Sequence, residues 1–155
     1  MNSGRLTKSG FAWPWFALTV AFGLHVMDEA FTGFLIIYNP TVTALRERWG
    51  WFPMPVFQFR EWLVGLIVVV AVCFALTPLA ARNVRGLRPF AWLYAVIMFL
   101  NGVGHTSVTI LGHTVAGITV ARPAPGFYSS PLLLIGSAWL IARLLKTTER
   151  NVLHA

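Results

Sequence analysis

Only one cysteine, Cys73, occurs in the 155 residues, and it lies inside an apolar run. A disulfide framework is therefore excluded within the chain, and so is a cysteine-based metal site. Charge is equally scarce. Asp, Glu, Lys and Arg together make up 11% of the sequence, and only five residues are acidic. A globular domain of this length needs far more polar surface than that. Against these shortages stand 57% hydrophobic residues and a mean hydropathy of +0.69. The composition implies a single transmembrane domain over 1–155, with little mass outside the bilayer. A net charge of +7 raises nucleic acid as a partner, but the basic residues flank apolar segments instead of forming a stripe. They read as orientation signals and contacts to membrane lipid headgroups. No nucleic-acid partner is implied, and no internal repeat or low-complexity segment is present.

Four stretches are read as spans, against the ~20 apolar residues that a helix needs to cross a bilayer: 11–38, 61–81, 89–112 and, shorter, 130–145. The expected fold is an all-α, integral membrane four-helix bundle. Pro14 and Pro89 suit first helical turns, and Trp and Tyr near the ends suit interfacial belts. The first stretch lacks a small-residue cleavage site and carries acids, so it reads as a mature span and not as a signal peptide. Arg5, Lys8, Arg82, Arg85, Arg88, Arg143, Lys146 and Arg150 fall on one side of this arrangement. Arg46, Arg48, Arg60 and Arg122 fall on the other. That excess predicts cytoplasmic termini, in a bacterial cytoplasmic (inner) membrane. The expected external loop, 39–60, contains Trp49-Gly50-Trp51-Phe52-Pro53-Met54-Pro55-Val56-Phe57, too apolar for an ordinary solvated loop. It reads either as an aromatic stretch resting in the interface or as a lid over a lipid-accessible cavity.

Within the first stretch sit His25, Asp28 and Glu29. Burying charge at such depth costs roughly 2.5–3.5 kcal/mol per residue on insertion scales, so these groups are expected to face a bundle interior. Residues three and four apart share a helix face, which groups the trio. The same spacing puts Asn101 and His105 on one face of the third stretch. Glu29 lies roughly 13 Å and His105 roughly 10 Å from the outer ends of their spans, levels that antiparallel packing brings together. Glu61, at the outer end of the second stretch, is expected to reach the same region. The expected site is thus His25, Asp28, Glu29, Glu61, Asn101 and His105, in the outer half of the bundle. His113 reads as an interfacial histidine, and Arg122 as a side chain that snorkels.

The stretch HVMDE (25–29) resembles the signature of the HXXEE-motif family of small multi-span membrane proteins. NGVGH (101–105) is similar to that family's second element, an Asn and a His one turn apart. PGFYSSP (125–131) is similar to the segment leading into its last span. The resemblance covers most of the chain. Asp28 stands where the family usually has its first Glu, which shortens that side chain by a methylene. Membership implies a membrane protein with a metal-dependent or acid–base activity, and supplies no substrate.

Several chemistries fit these residues. His25, Glu29 and His105 can serve as ligands of a divalent metal, zinc or iron, with an open position for water. A cation also offsets the repulsion between neighbouring buried acids. Asp28 and Glu61 are then the acid–base candidates, and Asn101 orients a ligand or polarises the substrate. Hydrolysis of a lipophilic small-molecule substrate is the leading expectation. A metal-free isomerase or cyclase of a sterol- or isoprenoid-like substrate needs only a buried acid and a neighbouring base, with aromatic faces to stabilise a cation. An ion or proton pathway is a further alternative, for which a chain this small would form a homo-oligomer. Haem held by His25 and His105 ranks lower because it leaves the acids without a role. A purely structural cluster is the bland alternative, but interhelical hydrogen bonds in membranes do not require two adjacent acids.

Overall fold

The structure, a computed structural model, describes residues 11–152, with side chains as far as Lys146. Arg5, Lys8 and the side chain of Arg150, which weighed in the charge count, lie outside the described residues. Six α-helices follow one another: α1 Ala12–Thr32, α2 Phe34–Arg48, α3 Phe59–Ala75, α4 Thr77–Ala81, α5 Arg88–Leu111 and α6 Ser130–Val152. A 3-10 turn at Arg85–Leu87 precedes α5. Apart from one isolated bridge between His113 and Thr119, regular structure among the described residues is helical. The all-α expectation holds.

The first expected span, 11–38, is not one straight helix. Gly33 adopts φ +78 in the left-handed region, and its N–H caps α1 at the carbonyl of Glu29. Glycine takes that conformation without a Cβ penalty, so the helix ends there and α2 departs at 85°. Tyr38-Asn39-Pro40, at the expected end of that span, lies inside α2, where Pro40 is exposed. Half of the expected external loop 39–60 is therefore helical. The aromatic residues 49–57 follow α2 as an irregular connection to α3.

Among the described residues, two helical stretches are long and apolar enough to cross a membrane: Phe59–Ala81, with mean hydropathy 2.7, and Leu87–Leu111, with 1.4. The bent pair α1–α2 makes a third if it counts as one broken span. The fourth expected span, 130–145, forms the first two-thirds of α6. Val64, Ile67, Val68 and Val72 on α3, and Leu93, Ile97 and Leu100 on α5, are exposed. Such outward apolar faces suit lipid as the surrounding solvent.

Helix α6 packs against both α5 and α1, and α3 packs on the other side of α1. Small residues permit the close approaches, as in many membrane bundles. A Cβ on Gly102 of α5 would stand 3.2 Å from the Ser130 carbonyl, and one on Gly136 of α6 would stand 3.3 Å from Cα of Leu18. Trp15, Leu18 and Phe22 of α1 fill the core with Tyr94 and Met98 of α5 and Leu133 and Leu140 of α6. The Trp15 indole N–H donates to the Cys73 carbonyl at 2.9 Å, tying α1 to α3. This packing holds the last two turns of α1 beside the C-terminal half of α5.

Candidate metal centre

His25, Asp28 and Glu29 project from the end of α1, Asn101 and His105 from α5, and the loop 112–129 folds over them before α6 begins. Because α1 stops at Thr32, Glu29 lies roughly 5 Å below the helix end, shallower than the continuous span implied. His25 is fully buried, the Glu29 side chain is 4% exposed, and that of His105 is 10% exposed.

Oε1 of Glu29 stands 3.4 Å from Nε2 of His25 and 3.0 Å from Nε2 of His105. One ligand atom from each residue lies within 4.8 Å of the other two. A tetrahedral ion with ligand bonds of about 2.0–2.2 Å holds neighbouring ligand atoms about 3.3–3.5 Å apart. The Glu29–His25 separation matches that value, and the Glu29–His105 separation falls below it. The full spread of the three atoms reaches up to 4.8 Å, so the group could hold a metal once its side chains adjust.

The ring orientations point the same way. His105 Nδ1 is bonded to the Pro125 carbonyl, which only accepts. Nδ1 therefore carries the hydrogen, and in the neutral ring Nε2 offers its lone pair towards Glu29. For His25, the Ser129 hydroxyl lies 2.8 Å from Nδ1. That hydroxyl donates to Oδ2 of Asp28 at 2.8 Å, so it accepts from His25 Nδ1–H. The Ser129 backbone N–H also donates to Oδ2, at 2.9 Å. Nε2 of His25 faces Glu29 and, at 3.0 Å, Oδ1 of Asn101. With neutral rings, four acceptor atoms converge and no hydrogen lies between them. In that arrangement a cation at the centre, either a metal ion or protons on the imidazoles, would satisfy the acceptors.

Glycine is required at one point in the wall. Gly126 has φ +78, and a Cβ there would stand 2.8 Å from the His105 ring and 2.9 Å from Cε1 of His25. Its carbonyl accepts from the Ser130 hydroxyl at 2.7 Å, and its N–H donates to the Thr32 hydroxyl at 3.3 Å. These bonds pin the loop to α1 and α6.

The cluster borders a cavity of 350 Å³ that is almost wholly apolar. Helix α2 forms one wall. Asn101, Gly104, His105 and Val108 of α5 form another, and Phe52 and Met54 of the aromatic segment close it further. The lid reading of the aromatic stretch gains two contacts from this, although Trp49 and Trp51 are exposed. The ring of Phe34 lies 5.5 Å from that of His105, centroid to centroid, at the junction of cavity and cluster.

Five of the six expected site residues come together, and Glu61 does not. It lies in the first turn of α3, exposed, on a separate apolar cavity with Tyr38, Phe57 and Trp62. The 85° bend places α2 and the aromatic segment along the main cavity, while Glu61 opens onto that separate one. Asp28 is present, but its Oδ2 is committed to Ser129, so it positions His25 through a hydroxyl. His113 is exposed and bonded locally to the Thr114 carbonyl at 3.1 Å, away from the centre. Residue-type reasoning passed over Ser129, Pro125 and Gly126. The signal available for them was the run PGFYSSP itself, which sets a glycine and a serine directly before a helix that packs on α1 and α5. No protein-family model, curated protein or solved structure matches the chain.

Proposed function

We propose that the chain is a membrane-embedded enzyme that holds zinc or iron at His25, Glu29 and His105 and hydrolyses a lipophilic substrate. One observation carries the reading: three buried ligand atoms with the spacing of a metal site lie beside a cavity with an almost wholly apolar lining. A bound metal supplies a water activated at neutral pH and a Lewis acid for the scissile carbonyl. The protein's own part is positional. Pro125 fixes the ring of His105, and the Asp28–Ser129 pair fixes that of His25. Glu29 contributes the negative charge. Asn101 presents an amide to the cavity, where it orients a substrate oxygen. Ser129 is not the nucleophile, because its hydroxyl is engaged on both sides.

In the membrane, α1 with α2, α3 with α4, α5 and α6 serve as the four crossings of this reading. The termini face the cytoplasm of a bacterial cell, and the centre lies in the outer half. The motif resemblance supports placing the chain in the HXXEE-motif family. A metal-free acid–base enzyme is the second reading, favoured by the chain Asp28–Ser129–His25–Glu29–His105, along which protons instead of a metal can balance the acceptors.

The deciding experiment is elemental analysis of detergent-purified protein, with His25→Ala and His105→Ala beside it. Near-stoichiometric metal in the wild type, lost in both variants, is expected. Wild-type protein still metal-free after reloading with zinc and with iron overturns the metal centre in favour of the acid–base reading.

A further inference from the structure

The apolar cavity has a shape as well as a polarity. Its wall on α2 is a single stripe, Phe34, Ile37, Tyr38, Thr41, Val42 and Leu45, spaced three and four apart along one helix face. From Phe34 to Leu45 the stripe runs about 16 Å. The polar groups of the centre lie at its Phe34 end, where Asn101 and His105 enter the wall. Midway, Thr41 and Thr114 bond to each other at 3.2 Å and ask nothing of an occupant. A volume of 350 Å³ drawn out over that length makes an elongated groove, a shape that suits a chain.

A second, independent feature lies on α5. Gly104 sits inside the helix, between Asn101 and His105, and lines the cavity. A Cβ there meets nothing within 4 Å, and its backbone is not left-handed. Neither packing nor conformation therefore needs glycine at this position, although glycine weakens a helix interior. Gly102, two residues earlier, contrasts with it, being filled by Leu134 and the Ser130 carbonyl. What the missing side chain at 104 provides is space beside the metal ligands.

We propose that the cavity seats a single-chain amphiphile, an alkyl or isoprenyl chain bearing one polar head. The head rests at Asn101 and His105, and the tail runs beneath α2 towards Leu45. Gly104 sets the width admitted next to the head. This deepens the metal-enzyme reading by naming its substrate class. The seat itself is formed by the cavity wall, and a chain fills it with or without a metal.

The test is native mass spectrometry of the full chain released from a maltoside detergent, with dodecanoic acid and with cholesterol as probes. Metal content is measured on the same samples. Wild-type protein is expected to retain one dodecanoate and no cholesterol. Gly104→Phe and Val108→Phe, which both fill the cavity, are expected to weaken dodecanoate retention about tenfold or more, since the contacts of several methylenes are forfeited. Val103→Phe, on the lipid-facing side of the same helix, is expected to retain it. Two filling variants keep the result interpretable should one of them fail to fold. Equal dodecanoate retention in wild type and both filling variants overturns the seat, as does cholesterol retained in preference to dodecanoate. Metal-free protein that binds the chain and loses it on filling supports the seat while overturning the metal-enzyme reading.

Discussion

The hydroxyl of Ser129 lies 2.8 Å from Nδ1 of His25 and passes its own hydrogen to Asp28. A serine on the loop leading into α6 thus decides which nitrogen of a histidine on α1 faces Glu29. Partners that orient a ligating imidazole commonly account for a 10–100-fold difference in metal affinity. Ser129→Ala is expected to weaken metal retention by about that factor, measured by competition with a chromogenic chelator. Asp28→Asn keeps an oxygen for the serine to donate to, so its loss should be smaller than that of Asp28→Ala. Equal losses in the two Asp28 variants would show that charge, and not orientation, is what Asp28 supplies.

Gly126→Ala tests the loop that carries this serine. The added methyl carries a strain of about 1–2 kcal/mol in the left-handed region and meets both imidazoles at under 3 Å. Reduced metal content together with a lower thermal transition in detergent is the expected outcome. Unchanged values for both would mean that the loop relaxes freely and does not form the wall of the centre.

Glu61→Gln and His113→Ala should leave metal content, stability and activity at the wild-type level. Both residues are exposed and stand apart from the cluster. Loss of metal or activity in Glu61→Gln would require α3 to move its first turn towards α1 in the working protein.

Gly102→Val addresses the scaffold. Its Cβ would press on Leu134 at 3.0 Å and on the Ser130 carbonyl at 3.2 Å, where α5 meets α6. Overpacking of this kind typically costs about 1–3 kcal/mol. A clear drop in unfolding temperature is expected, and an unchanged one would mean that the two helices separate at little cost.

How much of this was legible beforehand depended on distance along the chain. The three-and-four spacing placed His25, Asp28 and Glu29 on one face, and Asn101 with His105 on another, because helix geometry is local and regular. The meeting of His25, Glu29 and His105 was expected from equal depth in antiparallel helices, and it occurs although α1 stops at Thr32 and leaves Glu29 shallower than that estimate assumed. The break at Gly33 was not foreseen. A glycine within an apolar stretch is compatible with a continuous helix, and only tertiary packing selects its left-handed conformation. Glu61 was misplaced for the same reason, since its predicted approach assumed a straight first span. Ser129 and Pro125 act through a hydroxyl and a carbonyl from an irregular loop. Neither periodicity nor residue type marks which atom of such a loop faces inward.

The two imidazoles sit on different helices, yet both are steered from one short segment. Pro125 takes hold of His105 and Ser129 takes hold of His25, with Gly126 pinned between them. The segment 125–129 is a shared handle: a small rigid displacement of it would carry the bonding partners of both rings together. Pro125 also borders the apolar cavity, so whatever fills the space beneath α2 leans on the same handle that holds the two imidazoles.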